Sequence, residues 1–295
     1  MRSIWNYHKN LEIRGRQDQF VDFLNPLWSK TSSKTVEFKV FGSFLHLDFT
    51  WSQYDHSLFI KKVENGLFVI LVYVDDILVT GSSLQLIKDT KAALHQSFKM
   101  KNLGELRYFL GIELARSKSG ILMHQGKYAL ELISELGLGA AKPVATPLEV
   151  NAKLTPKEVD DLIKSSTSQG ENDPLADVST YQRIIGKLLY LTITRPDIAF
   201  SVQILSQFLH QPKKSHLDAA MRIVRYVKDQ SGHGILLSSN SQEQVSAYCD
   251  GDWAACPNSR KSVTGFLVKL GDSLISWKSK KQSTVSRSSK LSIEA

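Results

Sequence analysis

Asp75 and Asp76 stand side by side between two apolar, β-branched runs, Leu67–Val74 and Ile77–Thr80, that close on Gly81. Such runs around a short polar break read as a strand, tight turn and strand. The two carboxylates then sit at the tip of a hairpin. Placing two charges where apolar residues flank them so closely is unusual, because charged groups are costly near a buried surface. A bare Asp-Asp turn is mostly structural. The full run Val69-Ile70-Leu71-Val72-Tyr73-Val74-Asp75-Asp76-Ile77-Leu78-Val79 is far more specific, and it makes these carboxylates the leading chemical candidates of the chain.

The elements around them follow from pattern. Ser82 or Ser83 can cap a helix whose apolar positions Leu84, Ile87, Leu94 and Phe98 have helical spacing, with Lys88 and Lys91 outward. A second hairpin is predicted from Tyr108–Glu113 and Ile121–His124, turning through Ser117–Gly120. From Tyr128 to Asp229 the signal is helical, with segments Tyr128–Leu136, Pro156–Ile163, Val178–Leu191, Asp197–Leu209 and Ser215–Asp229, read as an all-helical module. Ser165–Asp177, rich in Ser, Asn, Asp and Gly, reads as a mobile loop. After a boundary near Ser238–Gln244, strands are predicted at Val245–Cys249, Gly265–Leu270 and Leu274–Trp277. The fold class is therefore α+β.

At 295 residues and 42% hydrophobic the chain can bury a real core, in two or three units. A net charge of +8 and a pI near 9.3 suit an anionic partner, since cations gain affinity for nucleic acid by releasing its counterions. Charge alone leaves membranes and plain solubility open. Cys249 and Cys256 are too few for a disulfide framework and imply a reducing compartment. No apolar run approaches the roughly 20 residues of a membrane span, and Met1–Arg16 lacks the apolar core of a secretory signal. A soluble intracellular protein is the expectation. His8, His124, His210 and His233 have no ligand spacing.

The Tyr73-Val74-Asp75-Asp76 hairpin resembles the palm hairpin of reverse transcriptases, and the likeness extends further. Phe98-Lys99-Met100-Lys101-Asn102-Leu103-Gly104 through Tyr108-Phe109-Leu110-Gly111-Ile112-Glu113 looks like the palm and primer-contacting segment of copia-type retrotransposon Pol proteins. Tyr181–Arg195 with Pro196-Asp197-Ile198, then His216 through Lys228, looks like that family's connecting helices. The resemblance implies RNA-directed DNA polymerase chemistry. In it, Asp75 and Asp76 are catalytic ligands of Mg2+ or Mn2+, which align the primer hydroxyl with the nucleotide α-phosphate. Tyr73 would contact nucleic acid, and the partners would be RNA/DNA template-primer, RNA–DNA hybrid and other Pol-derived subunits.

Tyr248-Cys249-Asp250-Gly251-Asp252-Trp253-Ala254, with Arg260-Lys261-Ser262 and Gly265, resembles the opening strands of the family's ribonuclease H. Asp250 would there be a catalytic carboxylate on a divalent metal; a turn aspartate is the plainer alternative. Later ligands of that fold are not evident before Ala295, and Glu294 is an insecure stand-in. On the helix Ser215–Asp229, Ala219, Ala220, Ile223, Val224 and Val227 suit a buried stripe, which leaves Arg222, Arg225 and Lys228 toward solvent as a nucleic-acid-binding row or a merely solvated face. Lys278, Lys280, Lys281, Arg287 and Lys290 form a second basic cluster with the same two readings.

The likeness breaks upstream. The family places a first palm aspartate well before the hairpin, and Asp22 and Asp48 lie too close to it. A nucleotide-binding element is also replaced by Pro26–Thr35. Back-translating Leu27 to Phe41 and dropping one base yields YGLKQALRQWNLKF, which looks like the missing element, so a frameshift is the expected cause. Residues 1–41 then form a degenerate segment, and Phe20–Val40, with neither helical nor strand period, is expected to be poorly ordered. The implied organisation is a partial palm at 42–125, a helical thumb or connection at 126–238 and a truncated ribonuclease H-like α/β domain at 239–295. The chain alone reads as an inactive polymerase fragment. A non-catalytic nucleic-acid-binding module, or a product with no function, are the other readings.

Overall fold

The computed structural model describes residues 20–26 by backbone alone, and then 42–63, 66–74, 76–97, 100–149, 154–160, 173–240, 244–252 and 259–283. The chain divides into two compact units, Met1–Phe109 with Ser239–Ser241, and Leu110–Ser238 with Gln242–Ala295. Mixed helices and antiparallel sheets make it α+β, as the sequence implies.

The first unit is built on one antiparallel sheet. Its strands are β1 (Phe20–Pro26), β2 (Thr50–Trp51), β3 (Leu58–Val63), β4 (Gly66–Tyr73), β5 (Asp76–Gly81) and β6 (Met100–Glu105), in the order β2-β3-β4-β5-β1-β6. Period-two alternation explains β5. Ile77, Val79 and Gly81 point inward and the residues between them are half-buried. Helix α1 (Leu84–Ser97) is started by Ser83, whose Oγ accepts the Leu86 N–H at 3.3 Å. It buries Ile87 and Leu94 against Phe44, Phe59, Phe68 and Ile70, whereas Leu84, expected inward, is 41% exposed in the first turn.

Phe20–Pro26 corrects the expectation of disorder for Phe20–Val40. The segment forms a strand between β5 and β6, with Cα partners Phe23↔Leu78 and Leu24↔Ile77 on one side and Asn25↔Lys101 on the other. The physical reason is the free edge of β5, a row of unpaired backbone groups that an apolar, extended segment satisfies whatever its side-chain period. Residues 27–41 lie outside the described residues, as do 161–172; the end of the loop expected to be mobile at Ser165–Asp177 is instead tied down, with the Ala176 N–H donating to the Pro212 carbonyl and the Lys214 N–H to the Pro174 carbonyl, both at 2.8 Å.

In the second unit, β7 (Ile112–Ser117) and β8 (Gly120–His124) form the second hairpin. The predicted run Tyr108–Glu113 forms a short strand at Tyr108–Phe109 and then β7, because Leu110 (φ 48°) and Gly111 (φ 76°) break it. After the helical stretch Tyr128–Asp229, β9 (Gly234–Ser238) returns to pair with β8 from Gly234↔His124 to Ser238↔Gly120. Helices α2 (Gly126–Glu135), α3 (Val178–Leu191), α4 (Ala199–Leu205) and α5 (Lys214–Asp229) share a core of Leu132, Tyr181, Ile185, Leu188, Val202, Leu205, Ile223 and Val224. Asp177 caps α3, accepting the Thr180 N–H at 2.7 Å. The buried Arg195 grips Asp197, donates to the Gln230 carbonyl at 2.9 Å and lies over the Tyr226 ring. Burial pushes the Asp197 carboxyl up, but the Arg195 hydrogen bond and charge outweigh it and hold the group low.

A three-stranded sheet completes the unit: β10 (Val245–Asp252), β11 (Val263–Leu270) and β12 (Ser273–Lys281). All three run longer than predicted. Trp277 Nε1 donates to the Thr192 carbonyl at 3.0 Å and Lys281 Nζ to Gln207 at 3.0 Å, which ties β12 to the helices. No helix among the described residues is long and apolar enough to cross a membrane.

Candidate active-site hairpin and cation row

β4 and β5 pair directly from Phe68↔Gly81 to Tyr73↔Asp76, so only two residues separate the strands, of which Val74 is described. A two-residue hairpin loop needs positive φ at its centre, a place where Asn and Gly are the usual residues. Val74 instead supplies φ 50° with a β-branched side chain, 63% exposed. That conformation costs roughly 1–2 kcal/mol. The rigid strands impose it: Ile70, Ile77 and Val79 are fully buried on either side. At Gly81, Phe68 approaches so closely that an added Cβ would meet its ring at 2.4 Å. The register of the whole hairpin is therefore fixed by packing, and the tip has no freedom to relax.

Asp76 is half-buried at the start of β5. Tyr73, also half-buried, meets the Phe109 ring edge-on at 6.4 Å between centroids. Asp75 lies outside the described residues. Among the described residues no group of three or more His, Cys, Asp or Glu side chains is placed to hold a metal ion. Asp48 carries a left-handed backbone (φ 61°) and pairs with Lys61 at 3.6 Å, an ordinary surface contact.

Asp250 is exposed on β10, with Gly265 of β11 as its Cα partner and Ser279 opposite Gly265 on β12. The side chain next to it, Cys249, is half-buried, and burial followed by the Asp250 charge pushes its thiol up, away from the reactive thiolate. Lys278 and Lys280 are exposed on β12; Arg287, Lys290 and Glu294 lie outside the described residues.

The row Arg222, Arg225 and Lys228 differs from expectation. These cations are half-buried rather than free in solvent. Lys228 Nζ donates to the carbonyls of Leu138 (3.3 Å), Gly139 (2.6 Å) and Ala141 (2.8 Å). Arg225 Nε donates to the Lys142 carbonyl at 2.9 Å, and Arg222 to Glu149 Oε1 (3.2 Å) and Thr146 Oγ1 (3.1 Å). Their buried-stripe neighbours Ile223, Val224 and Val227 are inside as the pattern requires.

Sequence reasoning missed the other end of α5. Lys213, 4% exposed, reaches Asp160 at 2.5 Å, Asp173 at 3.5 Å and Thr155 Oγ1 at 3.3 Å. His216 is fully buried, stacked on Phe208 with 3.8 Å between ring centroids. The Lys213 N–H donates to its Nδ1 at 3.1 Å, so Nε2 carries the proton and donates to the Thr155 carbonyl at 3.1 Å. Burial, then the Lys213 charge, pushes His216 down to about 4 and keeps it neutral. No local motif announces this cluster, because its members come from three separate stretches of chain.

The family described as reverse transcriptase (RNA-dependent DNA polymerase) matches residues 30–150. An uncharacterised mitochondrial protein of Arabidopsis thaliana is 42% identical over 75% of this chain and 86% of its own length. The retrovirus-related Pol polyproteins from transposon RE1 of Arabidopsis thaliana and transposon TNT 1-94 of Nicotiana tabacum are 41% and 32% identical, over 83% and 95% of this chain. The chain spans only 16% and 21% of those two polyproteins. No solved structure matches it. These matches make the chain a member of the reverse transcriptase family. The chain belongs to the copia-type retrotransposon Pol family, as a fragment of its reverse transcriptase region.

Proposed function

We propose that this chain carries part of an RNA-directed DNA polymerase, with the Tyr73–Asp76 hairpin as the nucleotidyl-transfer turn. In this reading residues 42–125 are a partial palm, 126–238 a thumb or connection and 239–295 a ribonuclease H-like region. The observation that carries it is the tight β4–β5 hairpin, which sets Asp76 opposite Tyr73 on strands whose register packing has fixed, with Val74 left-handed beside them. Reverse transcriptases use divalent metals, and Asp75 and Asp76 would hold Mg2+ or Mn2+ there, supplying charge stabilisation at the transferring phosphoryl group. The donor set within the described residues is incomplete, since only Asp76 is described at the tip. Asp250, exposed on β10, is open to a cation in the nuclease reading. The nucleic-acid partners are template-primer and RNA–DNA hybrid, and other Pol regions would complete the site.

Mn2+ binding by the purified chain, followed by water-proton relaxation, tests the hairpin. Weak binding that is lost in an Asp75→Asn, Asp76→Asn double variant is expected, together with no primer extension on an RNA template. Equal Mn2+ binding by the variant removes the metal role. Robust extension abolished by Asp75→Asn instead makes the chain a complete polymerase. The reading-frame origin of residues 27–41 is tested separately by sequencing the codons for Gln19 to Phe41; codons that do not encode the shifted string refute it.

A further inference from the structure

Lys213, His216, Arg222, Arg225 and Lys228 are spaced along α5 in multiples of three, and each engages the chain that connects α2 to α3. That connection runs back along the helix. Residues 138–142 meet Lys228 and Arg225, 146 and 149 meet Arg222, and Thr155 meets His216.

The two halves of this contact differ in kind. At Lys213 a buried ammonium meets two part-buried carboxylates, whereas over Arg222–Lys228 the cations face mostly neutral backbone oxygens at the surface. The covering segment is lightly held: Gly139, Lys142, Pro143, Ala145, Thr146 and Glu149 are exposed, and residues 138–149 form no helix or strand. Few buried apolar contacts and many exposed polar ones mark a segment that opens at small cost. Its carbonyls present neutral oxygens to Lys228 and Arg225, and Arg222 is held by the Thr146 hydroxyl and the Glu149 carboxylate. Phosphodiester oxygens share a net negative charge, so each cation gains an ion-pair attraction that a neutral carbonyl does not supply.

We propose that residues 138–149 are an intramolecular strap over the cation row of α5, displaced by the phosphate backbone of an RNA–DNA hybrid, which then takes the same three side chains. The inference rests on the proposed nucleic-acid partnership and adds how that partner is admitted. Arg222, Arg225 and Lys228 are a guarded surface, opened in exchange for charged ligands. Glu149, the one carboxylate of the strap on the row, is the group whose removal most favours opening.

The test titrates the full chain into a fluorescent RNA–DNA hybrid at several salt concentrations. A Glu149→Gln, Thr146→Ala variant loosens the strap and is expected to bind about threefold tighter, the size of one half-exposed ion pair released. Its plot of log affinity against log salt keeps the wild-type slope, because the bound state makes the same phosphate contacts. Glu158→Gln, which neutralises an exposed carboxylate off the row, leaves both unchanged. In the unaltered chain, amide hydrogen exchange across 138–149 should accelerate when hybrid binds. Wild-type affinity in the loosened variant, an equal gain from Glu158→Gln, or strap amides unmoved by hybrid each overturn the strap while leaving the partnership standing. Absence of hybrid binding by every protein at low salt overturns both.

Discussion

Tyr73 and Asp76 are direct cross-strand partners, and the chain reverses between them through two residues only. Val74 therefore sits at φ 50°, which a β-branched residue adopts at a cost of about 1–2 kcal/mol. Glycine removes that cost and adds roughly 0.5–1 kcal/mol of chain entropy to be lost on folding. Because Val74 is mostly exposed, little burial is forfeited. Val74→Gly is expected to stabilise the first unit by about 0.5–1 kcal/mol in urea unfolding, and a loss of stability would show that the turn is not strained.

Lys213 stands between Asp160 and Asp173, with its ammonium almost wholly buried. Removing it leaves two part-buried carboxylates facing each other without a counter-ion. Breaking such a buried pair from one side costs about 3–5 kcal/mol, reduced here to about 2–3 because both aspartates keep some solvent. Lys213→Met should lower the unfolding midpoint of the second unit accordingly, and Lys213→Arg should recover part of the loss.

His216 imposes a pH dependence. Its folded pKa of about 4 lies below the ordinary 6.5, so the folded state binds the proton less tightly than the unfolded chain. The stability it contributes is fully present above about 6.5 and is lost as pH falls toward about 4. The whole span corresponds to about 3 kcal/mol. Denaturant unfolding between pH 7 and pH 5 should show this slope, and His216→Gln should flatten it; an equal slope in both would refute the assignment.

Gly120 begins β8 at φ 136°, where an added Cβ would meet the Leu237 carbonyl oxygen at 2.0 Å. Both backbone strain and the collision with β9 oppose any side chain there. Gly120→Ala is expected to cost about 2–4 kcal/mol and to raise amide exchange along Gly234–Ser238. Unchanged protection of that strand would mean that β9 does not pair with β8.

Elements set by local periodicity were legible in the sequence. The β4–β5 hairpin, the Ser83 and Asp177 helix starts, and the three strands from Val245 to Lys281 all follow from alternation or capping chemistry. The break between Phe109 and β7 was not legible, because Leu110 is a non-glycine residue with positive φ that no composition rule signals. Pairing between distant segments was equally hidden. Phe20–Pro26 has no strand period yet fills a sheet edge, and backbone carbonyls such as those of Gly139 and Ala141, which hold Lys228, leave no trace in residue type. The cations themselves were found; that they face their own chain was not.

Asp160 and Asp173 converge on one ammonium, that of Lys213. The polypeptide leaving the first aspartate and arriving at the second thus departs from and returns to a single point. Closing a longer excursion between fixed ends costs only a fraction of a kcal/mol for each doubling of its length. Insertions or deletions between 160 and 173 would therefore be absorbed locally. The spacing of α3 and α5, and everything those helices carry, is insulated from them by one side chain.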